Sequence, residues 1–471
     1  MRAMRMGSTS GCLLLLAALG YLALGALPLN PIDTGFTLDW GRELAHGGLP
    51  DVRDLGASTP HPLSIVSGLI ASLAGSDALD VMQTLVLLAA AGVVLALIGI
   101  GRAIRSPLTG IAAVCALLAN GHFLFSSVAL ATPADIPALG AVTGALVLEL
   151  RRARRGYAPL CLLAVAGLWR PEVWLLSCGY AAYCAPSFAP GSRVRLALLA
   201  LAGPVVWLLC DLALTGDPLY SLEYTRWAAR VASRPRGIGE VPSVLWRTEN
   251  EYFDTPILVA GALGLAIDLR YAILPCVLRA WGAIALFAFT AIGSTSLPVI
   301  GRYALPIVVA TSLYAGFFIG GWTRVPPGRG RRVWQMGAAL CSIALLGGTL
   351  TSLQSLTAQQ AQLNGLGLLD RDLSVLADSH TLRRLVASCR PVQTSYQIVP
   401  LLAFDLGTPT RSIVRVNSGI PKTGIVVQPA HAQSLFEAQR VPSSMFRKHG
   451  FAMIADTRDW LAFARCRVPP S

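Results

Sequence analysis

Lysine is almost missing from this chain: of its 38 lysine and arginine residues, only Lys422 and Lys448 are lysines. Charge is scarce altogether, at 13% against about 25% in ordinary soluble domains. Hydrophobic residues make up 54% of the 471, more than one water-soluble core can hide, so the solvent implied is lipid. The net charge of +13 does not point to nucleic acid, because the arginines lie in short loops between apolar runs and form no basic face on a soluble fold. Metal-ligand spacing is absent from the ten cysteines. Eight of them (Cys12, Cys115, Cys161, Cys178, Cys184, Cys210, Cys276, Cys341) sit in apolar runs and read as small packing residues. No repeat or low-complexity tract stands out, and Gly99-Ile100-Gly101, at a helix end, is no phosphate loop.

What is present is a series of apolar runs long enough, or nearly so, to cross a bilayer. They are Cys12–Leu29, Val81–Ile100, Pro107–Phe125, Pro133–Leu150, Leu196–Leu214, Thr255–Ile267, Ala280–Ile292, Tyr303–Trp322 and Val333–Leu350. The first is expected to stay as an uncleaved helix behind a cytoplasmic N-terminus. Short arginine-rich loops mark the cytoplasmic side: Arg102 and Arg105, Arg151 to Arg155, Arg193 and Arg195, Arg270 and Arg279, and Arg324 to Arg332. The loop Asn30–Pro62 is acidic and belongs outside. Parity then makes Leu63–Ala74 an interfacial helix on the outer face. It makes Ala158–Cys184, broken at Arg170-Pro171, a re-entrant pair of half helices. The expected fold is an α-helical polytopic membrane protein with about nine full spans plus that pair. One loop departs from the charge pattern: Asp217–Phe253 comes out external yet holds Arg226, Arg230, Arg234, Arg236 and Arg247.

Residues 1–352 read as the transmembrane domain and 353–471 as an extracytoplasmic C-terminal domain. The latter has short β-like runs at Val392–Val399, Ser412–Val416, Gly424–Gln428 and Phe451–Ala455. Helical patterns such as His431–Arg440 fall between them, so a small α/β domain is expected. Cys389 and Cys466 bracket this polar region and can form a disulfide if it is exported. Gly316 and Gly320 have the spacing of close helix packing.

The candidate chemistry begins in the first external loop, Asp33-Thr-Gly-Phe-Thr-Leu-Asp39-Trp-Gly-Arg42-Glu-Leu-Ala-His46. Asp33 directly follows the first apolar run, and a carboxylate beside hydrocarbon is a functional candidate. Gly41-Arg42 follows eight and nine residues on, then Gly47-Gly48, then Pro60-His61-Pro62-Leu63 ahead of the interfacial helix. Pro133-Ala134-Asp135 comes after the third run, Leu168-Trp169-Arg170-Pro171-Glu172 in the re-entrant stretch, and Gly301-Arg302-Tyr303 before a late one. In order and topology these resemble the GT-C glycosyltransferases, membrane enzymes that use polyprenyl-phosphate sugars, and in particular bacterial, actinobacterial-like members. The resemblance runs over roughly residues 10–350. Thr34 stands where that family commonly has a second acid, and the His-Pro-Pro motif is not strict.

The resemblance implies an inverting transfer of a sugar from a polyprenyl-phosphate donor to an envelope glycan, lipid or protein acceptor on the outer face of a bacterial plasma membrane. The residues suit that chemistry independently. A carboxylate such as Asp33 can take the acceptor proton, and cationic groups can hold the leaving phosphate. Arg302 with Tyr303 is one phosphate candidate; Arg226 and Arg230 are others. Asp39, Arg42, His61 and Asp135 are further substrate-binding candidates, and Arg170 and Glu172 read as a structural ion pair. No cofactor is called for, and a divalent metal has no supporting ligand set around His46 and His61. A transporter or envelope-assembly scaffold on the same architecture stays open. Thr34 favours it, while the lack of a second broken segment speaks against a transporter.

Overall fold

The computed structural model describes residues 31–53, 57–128, 133–415, 420–431 and 441–466. The apolar run Cys12–Leu29 and most of the pattern His431–Arg440 lie outside them. Along the chain the helices are α1 (Pro31–Ala45), α2 (Pro62–Ser72), α3 (Ala78–Ala103), α4 (Pro107–Leu118), α5 (Asp135–Arg151) and α6 (Tyr157–Trp169). Next come α7 (Val173–Cys184), α8 (Pro190–Thr215), α9 (Tyr220–Val231), α10 (Val241–Tyr252), α11 (Thr255–Tyr271), α12 (Cys276–Ser294) and α13 (Leu305–Gly320). The last are α14 (Arg329–Ala377), α15 (His380–Ser388), α16 (Val399–Leu406) and α17 (Ser443–Lys448). The chain divides into two compact units, one holding 61–63 and 84–360, the other 24–60, 64–83 and 361–471. The boundary expected at residue 352 falls inside the unbroken helix α14, and the stretch expected to be the first external loop groups with the C-terminal residues.

In the first unit the apolar runs become helices. Among the described residues five are long and apolar enough to cross a membrane: those within Gly75–Ala103, Pro190–Thr215, Cys276–Ser294, Gly301–Arg324 and Arg329–Leu350. The pair α10 and α11, bent by 115°, makes a sixth if taken as one span. The expected run Pro107–Phe125 is broken, because α4 stops at Leu118 and a π-helical turn takes Phe123–Val128 after Gly121, whose φ is +75°. Helices α6 and α7 form a hairpin turned at Arg170–Glu172, since Tyr180 near the end of α7 meets the backbone N–H of Gly156 at the start of α6. Each is about 20 Å long, short of a 30 Å hydrocarbon core.

Packing separates inner from outer helices. On α14, Val333, Met336, Leu340, Ile343, Leu346 and Leu350 are exposed at helical spacing, a stripe suited to lipid. Helix α13 is buried nearly all round. Its Gly316 and Gly320 lie against α4, where a Cβ would come within 2.4 Å of the Thr109 carbonyl and 2.5 Å of the Thr109 nitrogen. The glycine spacing thus serves close backbone contact.

The second unit contains a five-stranded sheet in the order β2-β1-β3-β5-β4, made of β1 (Val392–Thr394), β2 (Ile413–Arg415), β3 (Gly424–Pro429), β4 (Ala452–Asp456) and β5 (Trp460–Arg465). β1 runs parallel to β2 and β3, while β5 is antiparallel to β3 and β4. Central β3 is buried along its whole length, including the apolar run Ile425-Val-Val427. Phe446 and Phe463 stack over it at 4.6 Å, with Phe451 alongside. The run Val392–Val399 does not continue as a strand, because Pro400 suits the first turn of α16 and not a paired strand. Strand β5, Trp460-Leu-Ala-Phe-Ala-Arg465, lies beyond the expected β-like runs, although it carries the apolar signal. Cys389 and Cys466 are disulfide-bonded, joining the chain before β1 to the end of β5.

Candidate functional site

The stretch expected to be the first external loop is mostly helix. Pro31 opens α1, and Asp33 sits in its first turn, where free backbone N–H groups and the helix dipole favour a carboxylate. Asp33 is half-buried and accepts a hydrogen bond from the Ser58 hydroxyl. The Thr37 hydroxyl donates to the Asp33 carbonyl at 2.7 Å. Thr34 is fully buried, so the position that is acidic in the resembled family is a packed hydroxyl here.

One turn further on, α1 is fastened within the same unit. Asp39 is fully buried and pairs with Arg42. The Arg42 guanidinium also donates to the carbonyls of Ala403 (3.0 Å), Phe404 (2.7 Å) and Thr408 (2.9 Å), and lies over the Phe404 ring. These are carbonyls at and just beyond the C-terminal end of α16, which Gly407 closes in a left-handed conformation at φ +65°. Arg42 therefore caps α16, satisfying end carbonyls and answering the negative end of its dipole. Burial pushes the Asp39 carboxyl up to about 7, against the opposing pull of Arg42. Two close approaches fix the helix. A Cβ on Gly35 would lie 2.9 Å from the Leu401 nitrogen, and one on Gly41 would lie 2.0 Å from the Gly68 carbonyl carbon of α2. Arg411 reaches Asp51 at 3.2 Å, and Glu43 accepts from the Asp51 N–H at 2.8 Å.

A second cluster lies in the other unit. Asp135, first residue of α5, is 6% exposed and pairs with Arg170, which is 4% exposed at the end of α6. Glu172 stands 4.0 Å from Arg170, so the nearer partner is Asp135 and the expected Arg170–Glu172 pair is part of a triad. Two separate motifs of the sequence meet here. The Arg170 and Arg302 guanidinium groups both lie over the Tyr303 ring, at 5.1 and 5.8 Å. Gly301 is required for this turn, since a Cβ there would sit 2.6 Å from the Thr248 hydroxyl. Two guanidiniums over one ring, with Asp135 and Glu172 beside Arg170, gather the kind of groups that can hold an oxyanion.

Of the other anticipated residues, His61 is half-buried and meets Trp207 edge-on at 5.2 Å. Arg226 donates to the Thr295 carbonyl at 3.1 Å, and Arg230 is exposed on α9 behind the aromatic run Tyr220, Tyr224, Trp227. Among the described residues no three His, Cys, Asp or Glu side chains group as a metal site. Asp370 and Asp405, in no motif of the sequence, are neighbours in the second unit, where Ser374 donates to Asp405 at 2.9 Å. Burial and mutual repulsion raise Asp370 to about 8, and burial above all raises Asp405 to about 7. Nothing in their local sequence reveals the pair, because 35 positions, with α15 and β1 among them, separate Asp370 from Asp405.

Its long apolar helices suit a bilayer, and a likeness to one solved structure gives this membrane-embedded protein the GT-C fold. Among solved structures the chain is similar to ArnT from Cupriavidus metallidurans, whose crystal structure is bound to undecaprenyl phosphate. The TM-score is 0.53 at 14% identity, over 97% of this chain and 98% of that one. No protein-family model matches the sequence, and a search of curated proteins gives no match.

Proposed function

We propose that the protein is an inverting glycosyltransferase that moves a sugar from a polyprenyl-phosphate donor to a cell-envelope acceptor on the outer face of the membrane. The observation that carries the reading is Asp33: an acid in the first turn of α1, oriented by Ser58, in a chain with the fold of a structure that holds undecaprenyl phosphate. In the proposed reaction the Asp33 carboxylate takes the proton of the acceptor hydroxyl as its oxygen attacks the anomeric carbon. The bond from that carbon to the phosphate oxygen breaks on the opposite face, and polyprenyl phosphate leaves with the electron pair. Arg302, beside Tyr303 in the other unit, is separately proposed to bind polyprenyl phosphate, and the Arg170 guanidinium, paired with Asp135, lies over the same ring.

The test separates binding from chemistry. Arg302→Ala is expected to weaken binding of undecaprenyl phosphate to the purified protein about tenfold or more, the cost of a charge-assisted contact. Asp33→Ala is expected to bind the lipid as the native chain does while losing transfer. Full transfer by Asp33→Ala contradicts the assignment.

A further inference from the structure

The end of the helical unit remote from Asp135 contains a cavity that the proposed transfer does not use. It has a volume of about 140 Å³ and lies among α5, α6, α7 and α12, lined by residues that include Val142, Ala145, Leu176, Tyr183, Trp281 and Ile284. A dry cavity of about 150 Å³ in another protein admits benzene, so this one holds a short stretch of hydrocarbon. Asp135 and the lining residue Glu149 are on one helix, fourteen residues and therefore about 21 Å apart. The cavity thus belongs to the end of the bundle that carries Arg151, Arg152, Arg154 and Arg155, the end expected to face the cytoplasm.

Its chemistry is specific. The walls are almost wholly apolar. Glu149, 2% exposed, is occupied: it accepts from the Tyr180 hydroxyl at 2.5 Å and from the Arg154 and Arg155 backbone N–H groups at 2.6 and 3.4 Å. An anion within the cavity would be repelled by that carboxylate, and a cation would find its oxygens taken. Trp281, in the second turn of α12 and 7% exposed, has an indole N–H without an acceptor among the described residues. A buried N–H of this kind calls for a neutral oxygen. Outside, Val165, Leu175, Leu286 and Phe287 on the same helices are exposed, so hydrocarbon surrounds them. The four arginines beyond Glu149 are exposed in the loop at that end, with Arg154 lying over Tyr183. Water has too few partners on such walls, and an unfilled space forfeits dispersion contacts.

We propose that this cavity binds one glycerophospholipid of the surrounding leaflet. The first part of an acyl chain fills the apolar walls, its ester carbonyl accepts from the Trp281 N–H, and its phosphate faces the arginine loop. The proposal is independent of glycosyl transfer.

The full chain in nanodiscs would be irradiated with a phosphatidylglycerol carrying a diazirine near the ester end of one acyl chain. A parallel arm would use a photoreactive polyprenyl phosphate. The expected result is label from the phosphatidylglycerol on peptides of α5, α7 and α12, lost in Ala145→Phe, which fills the cavity, and reduced in Trp281→Phe, which keeps its shape. If Ala145→Phe fails to give a monodisperse protein, Trp281→Phe alone must still lower the label. Label unchanged in the folded variants, or label from the polyprenyl phosphate alone, overturns the proposal.

Discussion

The Asp39–Arg42 pair shows how a residue can carry the form of a binding motif and the contacts of a clamp. Arg42 stands where the resembled family has its loop arginine, yet its guanidinium is engaged by one carboxylate and three carbonyls. Arg42→Ala would leave Asp39 buried without its partner, a loss of about 3–5 kcal/mol, read as a lower thermal midpoint of the purified protein. Arg42→Lys would recover only part of it, because an ammonium cannot span the same fork of acceptors. Asp370 and Asp405 act in the opposite sense. Their folded values, about 8 and about 7, lie above the usual carboxylate value, so the folded state binds the extra protons. The stability they contribute is present in full below about pH 4 and is lost as pH rises to about 8. Asp370→Asn should raise the thermal midpoint near pH 9 and flatten its fall between pH 5 and 9. An unchanged slope would remove the pair from the account. At this scale Asp33 and Asp135 stand out from their motifs as candidates. Asp370 was not, because its neighbour is supplied by a distant helix.

Elements are held together by the absence of side chains at two crossings. Helix α1 crosses α2 where Gly41 meets Gly68, and a Cβ on Gly68 would lie 1.9 Å from the Thr37 carbonyl oxygen. Helix α13 meets α4 in the same way through Gly316 and Gly320. Gly68→Ala is therefore expected to lower the thermal midpoint more than Gly92→Ala, since nothing lies within contact of a Cβ at Gly92. Helix propensity favours alanine by about 1 kcal/mol at both positions, so equal effects would mean that the crossing adds no cost. The sequence showed where most helices lie, because long apolar runs have no other stable form in lipid. It did not show that the stretch expected to be the first external loop is helical. Asp33, Asp39, Glu43 and Arg42 gave it the polarity of a loop, while the apolar residues Phe36, Leu38 and Trp40 pack inward among buried Thr34 and Thr37. Nor did it show β5, whose pairing with β3 and β4 depends on contacts distant in the chain.

For the whole molecule, composition alone indicated lipid, and the ordered motifs indicated the GT-C fold, which the likeness to ArnT over 97% of the chain bears out. The division into units was less legible. Residues 24–60 are separated from 361–471 by some three hundred positions, yet α1 and α16 pack in one unit through Gly35 and Arg42. No local pattern announces such a contact. The arrangement places the proposed base on a helix fastened to C-terminal residues, which gives the C-terminal part a role in holding Asp33. The most direct test of the central claim is sugar transfer by purified protein in nanodiscs. A panel of polyprenyl-phosphate sugars would be offered with envelope glycan as acceptor, and the native chain compared with Asp33→Asn. The account predicts transfer from at least one donor by the native chain and its loss in Asp33→Asn, with both proteins folded. Transfer undiminished in Asp33→Asn, or no transfer from any donor by a folded native chain, would contradict it.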